Sequence, residues 1–430
     1  MKFNDSKALP RHITDRLAAE FYDRILDHIH YSKSTLSACS LVCKSWFSTT
    51  RYHLFFEANL TPNLVRLIQS SDHAMETVAP HIRNVGLGGA WMKEKQHSFN
   101  HVMLFLLRLD NVQGLYIETW NWDVLNSATS NMLIRAQGTF FWKINQLHLK
   151  YARFPSFSIF TRFIQAFPLI EDLLLDNVTW DHIEYPFSAL PPPTFADTGG
   201  TWEQNKRLSH LTKLHIRSCL IDPILNWLID QAQSIPPIRI LSLPEIQSSE
   251  IKQVAVALRT LGPFLEHVDL GFMTYSPWGS PLQDPSDLVD LSFNSNLQNI
   301  HIRQLTLYQF PDDIPGILQG SPTWTQFHAS SSNITSQFSW VSTLLSTISS
   351  SQVLKLTFTV WLGTEHQLDL LNWTAISDVL NKPPFSSLKT FRIEILGMGR
   401  GREQVRGWLL ARLGCWAPAE ATLQVAFTDE

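Results

Sequence analysis

One spacing of apolar residues recurs along most of the chain. An apolar residue is followed by two variable positions and then by an apolar, variable, apolar triplet, as in Ile144, Leu147 and Leu149. Apolar residues that alternate with polar ones are typical of a β-strand with one buried face. The pattern therefore predicts one strand per copy. The central residues of the copies are Val85, Leu115, Leu147, Leu173, Leu214, Leu241, Val268, Ile300, Phe327, Leu354 and Phe391, with a weaker last copy around Leu423 and Val425.

Helical periodicity separates many of these copies. Apolar residues three and four positions apart predict helices over residues 158–167, 224–232, 250–261, 338–348 and 370–380. Many intervals between copies fall near the 20 to 29 residues of leucine-rich repeats, although several are longer. A unit of one strand and one helix buries its apolar face only by stacking on its neighbours. We therefore expect an α/β fold in which parallel strands line a concave face and helices cover the convex face.

Two segments interrupt the predicted repeats. The first, near residues 177–208, contains Pro191, Pro192 and Pro193 and then Gly199 and Gly200. The second, near residues 274–287, is also rich in proline and contains glycine. Proline and glycine at this density favour surface loops. The stretch from Leu211 to Cys219, in contrast, resembles a leucine-rich repeat down to its cysteine.

The N-terminal part of the chain has a different pattern. Phe21, Ile25, Leu26 and Ile29 lie at helical spacing, and a second apolar segment follows Ser34, which is a suitable N-cap. The pattern predicts two or three short helices joined by a polar turn over residues 30–33. Because helices this short are marginal alone, they need a packed apolar face. Amphipathicity by itself predicts only that they cap the end of the following structure.

The residues in these helices closely resemble an F-box over residues 17–55. Cys39-Ser-Leu41-Val42-Cys43-Lys-Ser-Trp46 matches the Cys-x-Leu-Val-x-x-x-Trp signature of that family, whereas Ala18 replaces the usual proline after Leu17. The resemblance implies an F-box at residues 10–57 before a divergent leucine-rich-repeat-like solenoid at residues 58–430. It further implies a substrate-recognition adaptor that docks onto the Skp-type adaptor of a cullin-RING ubiquitin ligase. The implied docking residues, which supply or support the apolar contact, are Leu17, Phe21, Ile25, Leu26, Leu36, Val42 and Trp46.

Polar residues flank the apolar triplets and should form the exposed surface of the predicted sheet. The candidate substrate residues among them are His148, Lys150, Lys213, His215, Arg217, His301, Arg303 and His328. One interpretation is that exposed strand positions accept any polar residue. The other is that a basic and imidazole stripe binds an acidic or phosphorylated segment of a protein partner.

Composition narrows the classes of partner. With 34 basic and 38 acidic residues the formal net charge is -4, so no general excess of positive charge points to a nucleic-acid partner. No stretch approaches the ~20 apolar residues that span a bilayer, and no secretory signal is evident. Four cysteines are too few for a disulfide framework and fit a reducing compartment, cytoplasmic or nuclear. Cys39 and Cys43 lack a second ligand pair at zinc-site spacing, so we expect no metal and no cofactor.

Two alternatives remain open. The loop Gly397-Met-Gly399-Arg-Gly401 lies between a predicted strand over residues 391–396 and a predicted helix over residues 404–413, an order that phosphate-binding loops use. Its spacing differs from that of dinucleotide-binding loops, and other catalytic motifs are absent, so a non-enzymatic protein is expected. The second alternative is an F-box scaffold that never supports ubiquitin transfer.

Overall fold

The computed structural model describes residues 19–42, 44–88, 96–135, 141–183, 208–230, 236–273, 284–306, 338–362, 365–397, 401–413 and 421–428. Within these ranges the protein is a mixed α/β structure with thirteen strands and thirteen α-helices. Contacts divide the chain into two compact units, Met1–Pro155 with Thr161–Pro168 and Ser156–Phe160 with Leu169–Glu430. None of the helices in the described ranges has the length and apolar content needed to cross a bilayer.

The first unit begins with three short helices and continues with parallel sheet. Polar N-caps start several of its helices: Ser32 accepts from the Thr35 N–H, and Thr61 accepts from the Leu64 N–H. Strands β1 to β4 pair in chain order and in parallel. The elements are α1 (Ala19–His28), α2 (Lys33–Cys39), α3 (Lys44–Phe55), β1 (Glu57–Asn59), α4 (Pro62–Gln69), α5 (Asp72–Thr77), the 3-10 turn Ala79–His81, β2 (Asn84–Leu87), α6 (Gln96–Leu106), β3 (Gly114–Asn121), the 3-10 turn Trp122–Val124, α7 (Ser127–Arg135) and β4 (Gln146–Ser156).

The second unit repeats strands and helices. The strands β5 and β7 to β13 pair in parallel, each with the next. Short 3-10 turns occur at Ser248–Glu250, Gly262–Phe264, Pro285–Asp287, Glu365–Leu370 and Pro383–Phe385. The elements after β4 are α8 (Phe157–Ile164), β5 (Asp172–Asp176), β6 (Thr179–His182), β7 (Lys213–Arg217), α9 (Ile221–Asp230), β8 (Ile240–Ile246), α10 (Ile251–Leu261), β9 (His267–Phe272), β10 (Asn299–Thr306), α11 (Ser339–Ser346), β11 (Lys355–Trp361), α12 (Trp373–Leu380), β12 (Thr390–Leu396), α13 (Arg402–Leu413) and β13 (Thr422–Thr428).

The predicted strands are confirmed at most copies of the apolar pattern. Phe327 lies outside the described residues, so its copy stays a prediction. The central residue predicted at Leu354 is wrong, because Leu356 pairs in register with Ile300 and Phe391. The sequence pattern missed the short strands β1 and β6. Strand β6 lies inside the segment predicted as a loop near residues 177–208, most of which, like most of 274–287, lies outside the described residues.

The central apolar residues of the second unit form one continuous row across its sheet. Strand pairing places them directly opposite one another, and each is at most 3% exposed. Full burial of such a side chain contributes ~1.5 to 3 kcal/mol, so the row stabilises the stack of repeats as a whole. Its members are Leu173, Leu214, Leu241, Val268, Ile300, Leu356 and Phe391.

A left-handed backbone conformation recurs at one position of the repeat. Five residues with φ between 50° and 60° each lie two positions after the second apolar residue of a triplet. Side chains other than glycine pay ~1 to 2 kcal/mol for this conformation, so its recurrence indicates that the backbone geometry at this position of these repeats requires it. Three of the residues lie within strands β3, β4 and β10, and two directly follow strands β5 and β7. The five residues are Thr119, Tyr151, Asn177, Ser218 and Gln304.

Buried polar side chains join neighbouring repeats of the second unit. Cys219 Sγ accepts from the Val178 N–H at 3.1 Å and donates to the Arg217 carbonyl at 3.0 Å. Burial raises the pKa of the Cys219 thiol to about 12, which keeps it protonated and able to donate. Cys219 thus satisfies backbone groups of two neighbouring segments. Asn294, fully buried, donates from Nδ2 to the carbonyls of Leu258 and Gly262, both at 2.9 Å.

We predict that Asn294→Ala lowers the free energy of unfolding of the second unit by about 2 kcal/mol, because two buried hydrogen bonds of about 1 kcal/mol each are lost. Asn296→Ala is the matched control: its Nδ2 donates to the Pro263 carbonyl at 2.7 Å, but the side chain is exposed. Water replaces that donor, so the control should lose under ~1 kcal/mol. Chemical denaturation of the two variants measures the difference, and equal losses would contradict the prediction.

Candidate interaction sites

The first three helices enclose a small apolar interior. Leu26 of α1 and Leu36 of α2 are completely buried. Trp46 of α3 is half-buried, and its ring lies 5.6 Å from the ring of Tyr22. The Thr50 hydroxyl, also buried, donates to the Trp46 carbonyl at 2.7 Å. Helices too short to persist alone are thus held by side chains from all three.

Polar contacts fix α1 against α3. Thr49 Oγ1 donates to Asp23 Oδ1 at 2.6 Å, and His53 Nε2 lies 2.8 Å from Asp27 Oδ1. Because Asp23 and Asp27 are four residues apart, they lie on one face of α1. Phe21 and Ile25 therefore project from a different face of the helix.

Several large apolar side chains of this region face the solvent. Phe21 is 58% exposed, Ile25 49%, Leu41 87% and Val42 65%. We call these four residues the N-terminal apolar set. Leu41 and Val42 lie in the turn after α2, at the centre of the Cys39 to Trp46 motif. Single exposed apolar residues need no explanation, but four in one short region are a feature of interaction surfaces.

Most of the predicted docking residues are either exposed or sealed in the interior, and Trp46 is half-buried. Phe21, Ile25 and Val42 are accessible to a partner. Leu26 and Leu36 are sealed in the interior, so they support the exposed residues without touching a partner, and Leu17 lies outside the described residues. The helical spacing of Phe21, Ile25 and Leu26 predicted one apolar face on α1. This is corrected, because Leu26 is buried while Phe21 and Ile25 are exposed.

The second candidate site is the polar face of the sheet in the second unit. His215, Ser242, Asp269 and His301 lie in one row, on the successive strands β7, β8, β9 and β10. At ~4.8 Å per strand, the two histidines are ~14 Å apart. They therefore form no continuous imidazole stripe, since a hydroxyl and a carboxylate separate them. His328, the last predicted member of the stripe, lies outside the described residues.

The predicted basic residues of this face are paired with acidic ones. Lys213 Nζ lies 3.7 Å from Asp172, Arg217 Nε lies 3.4 Å from Glu245, and Arg303 Nε lies 2.7 Å from Asp269. Arg392 Nε lies 2.9 Å from Glu394 on β12. The four pairs carry no net charge. In the described part of the second unit these ion pairs favour the first interpretation, in which exposed strand positions accept polar residues of either charge. Binding of a partner by this face stays a prediction.

His301 lies at the centre of this charged network. Its Nε2 is 2.7 Å from Thr359 Oγ1, whose hydroxyl donates to Glu394 Oε2 at 3.1 Å. Its Nδ1 is 3.5 Å from Asp269 Oδ1. Burial lowers the pKa of His301 below 6.5, although the negative charge of Asp269 acts to raise it. Burial also lowers the pKa of His267. Both rings are therefore neutral at pH 7 and add no positive charge to the face.

The remaining two candidate substrate residues belong to the first unit. The His148 ring packs edge-on against Tyr116 with centroids 4.6 Å apart. Lys150 Nζ lies 3.7 Å from Glu118 on the adjacent strand and 5.3 Å from the Tyr151 ring centroid. Charge pairing along the strands is thus common to both units.

Packing explains why the first residue of the loop at residues 397–401, which suggested a nucleotide site, is glycine. Gly397 has φ 83°, and a Cβ there would lie 2.9 Å from the Leu362 carbonyl oxygen. Gly401 also has a positive φ, of 81°. Glycine is therefore required at Gly397 by a turn against the neighbouring repeat, without any ligand. Residues 398–400 lie outside the described residues.

The described ranges contain no metal-ligand set, and a cavity in the first unit is small. No three His, Cys, Asp or Glu side chains come together there as a ligand set. A cavity of about 240 Å³ in the first unit is lined by Leu106, Leu109, Phe141 and Trp142 among others, with Asp110 and Lys143 as its charged groups. Its size is below the ~300 to 1,000 Å³ of small-molecule sites.

We predict that acid destabilises the second unit partly through His301. The unfolded ring takes up a proton near pH 6.5, whereas the folded ring resists protonation because its pKa is lower. Below that pH the unfolded state binds more protons, so the free energy of unfolding falls. Between pH 7.5 and 5 the wild type should therefore lose more stability than His301→Gln, measured by denaturation at each pH. Parallel curves would contradict this assignment.

Protein-family models and curated proteins give no guide to either site. The chain matches no protein-family model, and no curated protein matches it. The interpretation of both sites rests on their own residues and geometry.

Proposed function

We propose that this protein is the substrate-recognition adaptor of a Skp-cullin-F-box type ubiquitin ligase. In this proposal helices α1 to α3 dock onto a Skp-type adaptor, and the strand and helix repeats form a leucine-rich-repeat-like solenoid that holds a protein substrate. The observation that carries the proposal is the exposure of Phe21, Ile25 and Val42 at positions that match the F-box pattern. Soluble proteins seldom leave such side chains in water without a partner.

The energetics of docking favour several apolar anchors acting together. Association costs ~4 to 15 kcal/mol, while one fully buried apolar side chain returns ~1.5 to 3 kcal/mol. The four residues of the N-terminal apolar set together reach that range. Part of the N-terminal apolar set is held in place before binding, which reduces the entropy lost on docking. It is held by the buried Leu26 and Leu36 and by the polar contacts of Asp23 and Asp27 with α3.

The repeats support the second half of the proposal. Two features recur with the repeat or join neighbouring repeats: the left-handed residue two positions after the second apolar residue of a triplet, and the cysteine that accepts from the Val178 N–H. The polar face of the second unit presents balanced charge pairs and neutral imidazoles, which suits an extended polypeptide that can exchange hydrogen bonds and ion pairs. The nucleotide-binding alternative lacks a comparable observation, since packing explains Gly397.

We predict that Phe21→Asp with Ile25→Asp abolishes co-purification of the protein with a Skp-type adaptor. Two carboxylates would be desolvated at the interface, at a cost far above that of a lost apolar contact. Leu67→Asp is the matched control, because Leu67 on α4 is 66% exposed and lies outside the N-terminal apolar set. Leu26 is left unchanged, since a charge at a completely buried position would unfold the helices.

The control should retain the adaptor, and circular dichroism should give the same helical content for both variants. If the double variant is folded and still recovers the adaptor in full, the docking assignment is wrong.

A reconstituted ubiquitination reaction tests the second half and separates it from a scaffold that never supports ubiquitin transfer. We expect a partner captured by the full-length chain to be ubiquitinated by the wild type, and not by the Phe21→Asp, Ile25→Asp variant. Captured partners that stay unmodified in the presence of an active ligase would favour the scaffold.

A further inference from the structure

The hydrogen bonds around His301 determine which ring nitrogen carries its proton. A carboxylate oxygen accepts, so Thr359 must donate its single hydrogen to Glu394 Oε2 at 3.1 Å. Thr359 Oγ1 can then only accept from His301 Nε2, which lies 2.7 Å away. The neutral ring is therefore the Nε2–H tautomer, with a lone pair on Nδ1.

That lone pair faces another acceptor. His301 Nδ1 lies 3.5 Å from Asp269 Oδ1, with no hydrogen to place between them in the neutral state. The same Asp269 oxygen accepts from Arg303 Nε at 2.7 Å, and Asp269 Oδ2 accepts from the Ser242 hydroxyl at 2.8 Å. A proton added to Nδ1 would create a third donor to this carboxylate, which would share Oδ1 with Arg303 Nε and place a second positive charge beside that guanidinium.

Charged groups from four strands face the ring. Asp269 on β9 and Glu394 on β12 favour the protonated form, whereas Arg303 on β10 and Lys355 on β11 oppose it. Burial adds to the opposition, so protonation requires a pH below the usual 6.5. The His301 and Asp269 side chains are 20% and 18% exposed, so solvent protons can reach the pair.

We propose that protonation of His301 at Nδ1 converts this part of the polar face into a binding surface for an acidic peptide segment. The inference rests on the proposed function of that face as the substrate site. A solvent proton binds to Nδ1, and the new N–H donates to Asp269 Oδ1. The hydrogen bond from Arg303 Nε to that oxygen is thereby weakened. The Arg303 guanidinium, whose side chain is already 42% exposed, becomes available to a partner carboxylate. The balanced face also gains one positive charge.

Nitrogen NMR of histidine-labelled full-length protein tests the switch without any partner. At pH 7.5 the His301 resonances should show the Nε2–H tautomer, with titration to the imidazolium at a midpoint below 6.5. Thr359→Val, which keeps the side-chain shape but removes the acceptor, should lose that tautomer preference. An Nδ1–H tautomer in the wild type at pH 7.5 would overturn the proposal.

Binding of a hexaglutamate peptide to the full-length chain tests the surface. The peptide keeps most of its charge at pH 5.5, since glutamate titrates near ~4.3. We expect the wild type to bind about three- to tenfold more tightly at pH 5.5 than at pH 7.5, the size of effect for one charge near a protein surface. His301→Gln can still donate to Thr359 but does not titrate, so it should show the same affinity at both values.

The outcomes separate the switch from the surface. Binding of the wild type that is independent of pH, or an unchanged pH response in His301→Gln, overturns the switch and leaves the face as a binding site. Failure to bind at either pH overturns the switch and also counts against the face as a site for acidic segments. Adaptor docking through α1 to α3 is measured separately and is unaffected by either result.

Discussion

Parallel strand pairing that keeps the central apolar residues in register is the constraint on which the second unit depends. It places the central apolar residue of each strand opposite the next, from Leu173 to Phe391, and leaves each at most 3% exposed. A shift of one residue in any strand would send that residue to the polar face and a polar neighbour into the interior. The same register sets the order of the polar face, since His215, Ser242, Asp269 and His301 align only because the apolar row does. The strand register therefore determines both the buried core of the second unit and the order of residues at the candidate site.

Much of this order could be predicted from the sequence because a period of two is a strong local signal. The pattern located the strand at Leu214 and its neighbours, but it misplaced one central residue at Leu354, where Val353, Leu354 and Leu356 offer two overlapping registers. Only pairing with Ile300 and Phe391 selects Leu356. Short strands such as β1, with three residues, contain too few alternations to be detected. The five left-handed residues could not be predicted either, because only Asn177 among them is of a type that favours that conformation.

The positions of the candidate sites could be predicted from the sequence, but the burial and charge pairing of their residues could not. Spacing identified the N-terminal helices, yet spacing cannot tell that Leu26 is sealed while Ile25, its neighbour in sequence, is exposed, because burial depends on where α3 packs. On the polar face, the sequence showed Arg217 and Arg303 but gave no account of Glu245 and Asp269 as their partners, which come from adjacent strands. A stripe selected by counting basic residues therefore seemed cationic, although its described part in the second unit is balanced.

The two candidate sites use different physics, and this difference bears on how they act in one molecule. The proposed docking through Phe21, Ile25 and Val42 would depend on removal of apolar surface from water, which salt and moderate changes of pH hardly alter. Recognition by the polar face must compete with ion pairs already present, such as Arg303 with Asp269, so a partner gains only the difference between new and old contacts. Such a face would discriminate between partners by the arrangement of their charges more than by the strength of binding. A protein built this way can remain bound to one partner through its apolar set while the polar face exchanges others as conditions change.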